Sequence, residues 1–183
     1  MKNLKDIINE KLIINKDSKS KHKYYPKGKI ELINIIQEKI ENLDNKDDLL
    51  NLNDIDVSEI TDLSYLFESI KPIKVDMNDW NVSNVTDIHG LFWNNEIIEE
   101  IHIENWDVRN VETAYGAFYF CINVKNLDLD KWDLRKCKEF DLMFKGCENL
   151  DTKFTNNWGD KIPNIITTKE MFEGCKHIPK WYM

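Results

Sequence analysis

From Ile55 onward the apolar residues follow two alternating rhythms. In one, steps of three and four separate Val82, Val85, Ile88, Leu91 and Phe92. Apolar residues at that spacing share one face of a helix. Thr86-Asp87 offers a helix N-cap in that unit, and Thr61-Asp62 does so in the unit before it, because a short side-chain oxygen can accept from an unpaired N–H of the first turn. In the other rhythm Val75 and Met77, Ile101 and Ile103, and Leu127 and Leu129 alternate with polar residues, the period of a short strand. The pattern predicts units made of a short helix and a short strand, with successive strands stacked in parallel.

The units repeat. Trp80 to Phe92 reads W-N-V-S-N-V-T-D-I-H-G-L-F, Trp106 to Phe118 reads W-D-V-R-N-V-E-T-A-Y-G-A-F, and Trp132 to Phe144 reads W-D-L-R-K-C-K-E-F-D-L-M-F. Trp80, Trp106, Trp132 and Trp158 stand 26 residues apart. A fixed period of this length marks stacked repeats, none of which buries its apolar face alone. The recurring Trp and Phe therefore read as core rings packed on equivalents above and below. The sharper alternative is a platform of tryptophans for a sugar. The first unit, I-D-V-S-E-I-T-D-L-S-Y-L-F, lacks the tryptophan. The fourth puts Lys153 and Thr155 where leucines sat, with Phe154 between them, which predicts an irregular strand register there. Extra residues, including Pro163, follow Trp158. Trp181 and Tyr182 are expected to close the last core layer or to offer an exposed contact.

Ahead of the repeats, Ile33, Ile36, Ile40 and Leu43 predict a helix from Lys29 to Leu43 that covers the first unit, since a stack of repeats needs its open end capped. Tyr24-Tyr25-Pro26 is expected to be extended, because proline restricts the residue before it. Residues 15–23 hold no apolar side chain and read as a linker. Leu4, Ile7, Ile8 and Leu12 suggest a short amphipathic helix over 3–14, docked on the repeats or lying on a membrane surface. The chain divides into an N-terminal arm and helical cap, 1–54, and a repeat region, 55–183.

Charge separates the same two parts. The net charge is -8, yet residues 1–30 carry nine lysines against Asp6, Glu10 and Asp17, whereas the repeats are acidic. An acidic body repels phosphates and argues against nucleic acid as a ligand of the repeats. The 32% of charged residues and 42% of hydrophobic ones fit a thin stack that exposes more surface than a sphere. The cysteines Cys121, Cys137, Cys147 and Cys175 form no C-x-x-C pair, so the spacing argues against zinc. Three of them follow Phe118, Phe144 and Phe172 by three residues, where Ile70 and Asn95 stand in the earlier units; this is a small, semi-buried packing position. No apolar run is long enough to span a membrane, and the N-terminus does not read as a secretion signal.

The frame W-D-V-S-N-V-T-D-M-S-x-M-F-x-G-C-x-x-L, met here in W-N-V-S-N-V-T-D-I-H-G-L-F and W-D-L-R-K-C-K-E-F-D-L-M-F-K-G-C-E-N-L, resembles the BspA-like leucine-rich repeat family over roughly residues 54–178. The resemblance implies an α/β fold, a right-handed leucine-rich-repeat-like solenoid of about five helix–strand repeats with a small N-terminal helical cap. It also implies a binding role with no catalytic residues. The opening M-K-N-L-K-D-I-I-N-E-K-L and the later K-Y-Y-P-K are similar to the leader and cap of short intracellular members carried by large tailed phages and their hosts.

These readings converge on a non-enzymatic protein-binding module in a cytoplasm, with no cofactor, metal or small-molecule substrate expected. The strand residues pointing away from the core are the candidate contacts: Asp76, Asn78, Glu100, His102, Glu104, Asn126, Asp128 and Asp130. Being acidic or amide, they fit a partner protein with a basic surface. A phage setting would make that partner a host factor, for instance a defence nuclease blocked at its basic channel. A surface adhesin is the alternative. No nucleophile elbow, phosphate loop or H-E-x-x-H supports an enzyme. His89 and His102 read as ordinary surface or packing histidines.

Overall fold

The structure of the 183-residue chain, a computed structural model, describes residues 21–159, 162 and 167–182. The amphipathic helix expected over 3–14, most of the linker expected over 15–23, and Pro163 lie outside the described residues. An extended segment at Tyr24 pairs in parallel with Ile55. Helix α1 then spans Lys29–Glu41. Glu31 in its first turn accepts from the Lys27 N–H at 2.9 Å, and the Asn42 side-chain amide closes it on the Glu38 carbonyl at 2.7 Å. Leu32, Ile35 and Ile36 are buried against the first repeats. Its flanks are pinned by charge: Lys27 to Glu59 at 3.0 Å, Lys29 to Asp62 at 2.8 Å and Lys39 to Asp54 at 2.9 Å. Lys21 also pairs with Asp79.

Three short strands follow, β1 (Leu49–Asn51), β2 (Lys74–Asp76) and β3 (Glu100–His102). They form one parallel sheet in the order β1-β2-β3, with Leu50, Val75 and Ile101 in register. The stack thus begins at Leu50, before the expected start at Ile55, because Leu50 fills the core position that Val75 fills one rung later. Leu127 and Leu129 are buried but lie outside any strand.

The expected solenoid of about five helix–strand repeats is not what the structure contains. Among the described residues α1 is the one α-helix and these three strands the one sheet. The segments whose apolar steps of three and four predicted helices are chains of turns. Two backbone features prevent a helix there. The residue two before each recurrent phenylalanine is left-handed: Tyr65, Gly90, Gly116, Leu142 and Glu170 have φ between 52° and 60°. A second left-handed residue follows the phenylalanine by two in Asn94, Phe120, Gly146 and Gly174. A right-handed helix admits neither.

Hydrogen bonds explain how the apolar pattern misleads. Alternate N–H groups reach the next rung: Gly90 to Tyr115 O at 2.8 Å, Phe92 to Ala117 O at 2.8 Å, and Asn94 to Tyr119 O at 2.8 Å. The N–H groups between them close three-residue turns, Leu91 to Ile88 O at 3.1 Å and Trp93 to Gly90 O at 2.9 Å. Turn closure at i−3 produces the helix-like spacing, while the inter-rung bonds satisfy the backbone as a strand would. Parallel bridges run down this side through Asp62, Asp87, Thr113, Glu139 and Thr167.

The core between the two sides is a pair of ring columns. Phe67, Phe92, Phe118, Phe144 and Phe172 stack with centroids 4.8–5.8 Å apart. Trp80, Trp106 and Trp132 stack at 6.1 and 6.3 Å, within 7° of parallel. Their indole N–H groups donate to Leu52 O, Met77 O and Ile103 O of the preceding rung. All three are buried, so they are packing rings and not a sugar platform. Trp158 is also buried, but its Nε1 has no partner among the described residues. It follows the irregular unit, where a 3-10 turn over Thr152–Thr155 replaces a strand. Trp181 and Tyr182 close the last layer, meeting Phe172 at 6.0 and 5.1 Å.

Candidate binding surfaces

The parallel register positions the strand-face residues. Lys74 stands beside Glu100 and Asp76 beside His102. Glu100 lies 3.6 Å from Lys74 Nζ and 3.8 Å from His102 Nε2, and His102 Nδ1 lies 3.9 Å from Glu104. Two of the eight candidates are turned inward on the backbone. Asp76 Oδ1 accepts from Asn78 N–H at 3.0 Å, and Asn78 Oδ1 accepts from Asn105 N–H on the next rung at 2.8 Å. Asn126, Asp128 and Asp130 are exposed on the rung that has no strand, and Asp128 Oδ1 accepts from Asp130 N–H at 3.4 Å. The acidic part of the face is therefore centred on Glu100, Glu104 and Asp128, with Lys74 and His102 among them.

A shallow groove opens between the loops that follow the tryptophans. Arg109 grips Asp107 with two bonds of 2.8 and 2.7 Å, and Arg135 grips Asp133 with 2.8 and 2.6 Å. Ser83, Asn110 and Lys136 complete the lining. The Arg135 guanidinium holds the Asp133 carboxyl down at about 2. Each arginine is neutralised by its own aspartate, so the groove's one uncompensated charge is that of Lys136, whose Nζ donates to Asn110 Oδ1 at 2.7 Å.

The cysteines occupy the packing position their spacing suggested. Cys121, Cys147 and Cys175 donate to Phe92 O, Phe118 O and Phe144 O one rung back. Burial raises their thiol pKa values, that of Cys175 to about 12; Cys137, at another position, rises to about 11. Asn95 fills the same column, fully buried, with no partner for its side-chain amide among the described residues.

A third surface was missed by sequence reasoning. Tyr65, His89, Trp93, Tyr115, Tyr119 and Phe120 form a half-buried to exposed aromatic strip across three rungs. Tyr65 Oη meets His89 Nε2 at 2.7 Å. Trp93 stacks on Tyr119 at 4.1 Å and on Tyr115 at 6.1 Å, and Tyr65 meets it at 67°. The signal was present in F-W-N-N and F-Y-F-C. There an aromatic follows the core phenylalanine directly, where the other units carry Glu68, Lys145 or Glu173.

Residues 61–181, the greater part of the chain, match the family described as Mycoplasma protein of unknown function, DUF285. The chain belongs to the DUF285 family. No curated protein matches it, and no solved structure does. The DUF285 match is compatible with the BspA-like repeats that the sequence resembles, and it covers the ring columns, the strip and most of the acidic face. Among the described residues no helix is long and apolar enough to cross a membrane.

Proposed function

We propose that this DUF285 chain is a non-enzymatic protein-binding module whose strand face takes a basic patch on a partner protein. The observation that supports this reading is the register of β2 and β3. It gathers Asp76, Glu100, His102 and Glu104 on one face, with Asp128 and Asp130 exposed beyond. Lys74 is the one lysine paired there, so the face keeps a net negative field that steers a cationic partner. The resemblance of the N-terminal segment to phage-borne members favours a host protein with a basic nucleic-acid channel.

Affinity capture of the tagged chain from host lysate, at low and high salt, tests the reading. One stoichiometric protein is expected, lost at high salt because exposed charges are screened. Its capture should fall about tenfold with Glu100→Gln, Glu104→Gln and Asp128→Asn combined. Capture that ignores both salt and these substitutions overturns the acidic-face reading. Binding to whole cells with nothing taken from lysate supports the adhesin reading instead.

A further inference from the structure

The aromatic strip is distinct from the strand face, and its chemistry is different. Tyr65 Oη and His89 Nε2 bond each other, but three other donors of the strip are unspent. Trp80, Trp106, Trp132 and Trp181 each give their indole N–H to a backbone carbonyl. Trp93 Nε1 and the hydroxyls of Tyr115 and Tyr119 make no hydrogen bond among the described residues. The rings themselves are held in place. Trp93 leans over Gly116, where an added Cβ would stand 2.7 Å from Cε3, and Phe120 leans over Gly146 in the same way. Tyr65 lies over Gly90 on the rung before.

The rim is acidic. Asp87 Oδ1 accepts from the His89 N–H at 2.8 Å, and Glu139 continues the same bridge column two rungs on. Glu68 and Asp87 lie near Tyr65, whose hydroxyl pKa is raised by burial first, then by Glu68, Tyr115 and Asp87.

We infer that this strip docks a cationic, proline-rich segment of a partner protein in the polyproline II conformation. Three features match. Polyproline II makes no internal hydrogen bonds and proline has no N–H, so such a segment offers carbonyl acceptors alone. The strip offers the complementary donors. Parallel rungs are ~4.8 Å apart, so equivalent backbone positions two rungs apart, in the turns that carry Tyr65 and Tyr115, are separated by ~9.6 Å. That is close to the ~9.3 Å turn of polyproline II, three residues at ~3.1 Å each. Aromatic-lined grooves suit proline rings, and the carboxylate rim suits flanking arginines. A pyranose would use the same ring surfaces but has no cation to meet the carboxylates. This inference stands apart from the acidic strand face and does not depend on it.

The test uses the full chain and a fluorescent peptide of about nine prolines, three polyproline turns, flanked by arginines. Fluorescence anisotropy should show saturable binding that weakens when glutamates replace the arginines and is lost when alanines replace the prolines. Trp93→Ala should weaken binding at least about tenfold, as expected of a central aromatic contact. The pair Tyr115→Phe and Tyr119→Phe keeps the rings and the melting temperature and should weaken it several-fold. Glu100→Gln with Glu104→Gln should leave it unchanged. No saturable binding, equal binding of the alanine peptide, or indifference to the tyrosine pair overturns the proposal. So does loss through the Glu100 and Glu104 changes alone, which would place the peptide on the strand face. Saturable binding of cellohexaose, abolished by Trp93→Ala, with none of the peptide, would assign the strip to a glycan.

Discussion

The ring of Tyr65 packs against the backbone of Gly90 on the next rung: a Cβ built on Gly90 would stand 2.6 Å from Tyr65 Cδ1. Gly90 also has φ +59°. A side chain there meets both a steric and a conformational penalty, and the penalties coincide because the left-handed turn is what brings the glycine under the ring. Gly90→Ala is expected to lower stability by about 1–3 kcal/mol, read as a shift in the urea midpoint. Gly28 is the contrast. It is extended, with no neighbour within 4 Å of an added Cβ, and it caps α1. Gly28→Ser should be neutral or stabilising by a few tenths of a kcal/mol, about the advantage of serine over glycine at an N-cap.

Trp106 is tied to Met77 by its indole N–H, 2.8 Å from the carbonyl oxygen. Trp106→Phe keeps an aromatic ring between Trp80 and Trp132 but removes one of the two hydrogen bonds that Met77 O accepts, the other coming from the Trp80 N–H at 3.0 Å, and leaves a void beside it. A loss of about 2–4 kcal/mol is expected, combining an unmade buried hydrogen bond with a cavity. Chemical denaturation measures it. A loss within error would mean that the indole N–H contributes nothing to holding the rungs together.

Tyr182 closes the far end of the stack with one hydroxyl. Its Oη donates to Thr168 O at 2.7 Å and accepts from the Met171 N–H at 3.1 Å. The Met171 N–H is shared between this hydroxyl and Thr168 O, also 3.1 Å away, so the hydroxyl ties the last turn together at both of its groups. Tyr182→Phe should speed hydrogen exchange at Met171 by about ten- to a hundredfold, with little change at Phe92 and Phe118, if the hydroxyl holds about 1–3 kcal/mol of local stability.

The thiols titrate late because burial opposes the thiolate. Cys137 and Cys175 are raised to about 11 and about 12, and Cys121 and Cys147 lie in the same direction. The folded chain should therefore resist iodoacetamide at pH 8, with all four thiols reacting once urea unfolds it. A raised acid pKa favours the folded state below the thiol's unfolded value and loses that contribution as pH climbs through the folded one. Any thiol-linked destabilisation belongs above about pH 9. Rapid labelling of Cys121 without unfolding would contradict its packing role.

Asp133 marks the opposite end of the pH scale. With Arg135 gripping both carboxylate oxygens, its pKa of about 2 lies below the ordinary value. The sign is that of a depressed acid: its contribution is present above the unfolded pKa and is lost as pH falls toward 2. Because the pair sits at the surface, that contribution is small. Side-chain carbon shifts of Asp133 should titrate below pH 3 in the wild type and move up when Arg135 is replaced by Gln.

Several elements were legible because they depend on side-chain identity. The Trp and Phe columns follow from ring residues recurring in one frame, and α1 follows from Ile33, Ile36 and Ile40. The semi-buried cysteine position and the closure by Trp181 and Tyr182 follow in the same way. The helices of the repeats were misread because steps of three arise equally from helical turns and from turns closed at i−3. The glycines of H-G-L-F and Y-G-A-F carried a warning: a glycine in mid-pattern is a breaker more often than a helix interior. The candidate strand face was legible up to His102 and Glu104. It was less so at Asn126, Asp128 and Asp130, where the apolar alternation persists without a paired strand.

The sequence by itself determined the repeat, its 26-residue frame, its buried rings, the acidic face and the family. Each of these is a statement about which residue type recurs at which position. Tertiary structure alone decided what the backbone does between the rings and which aromatics share a surface. The N–H groups of Gly90, Phe92 and Asn94 find their acceptors on a rung a whole repeat away, and spacing within one unit carries no trace of that choice. Tyr65, Trp93 and Tyr119 come from three different units and meet because parallel rungs bring equivalent turns into contact.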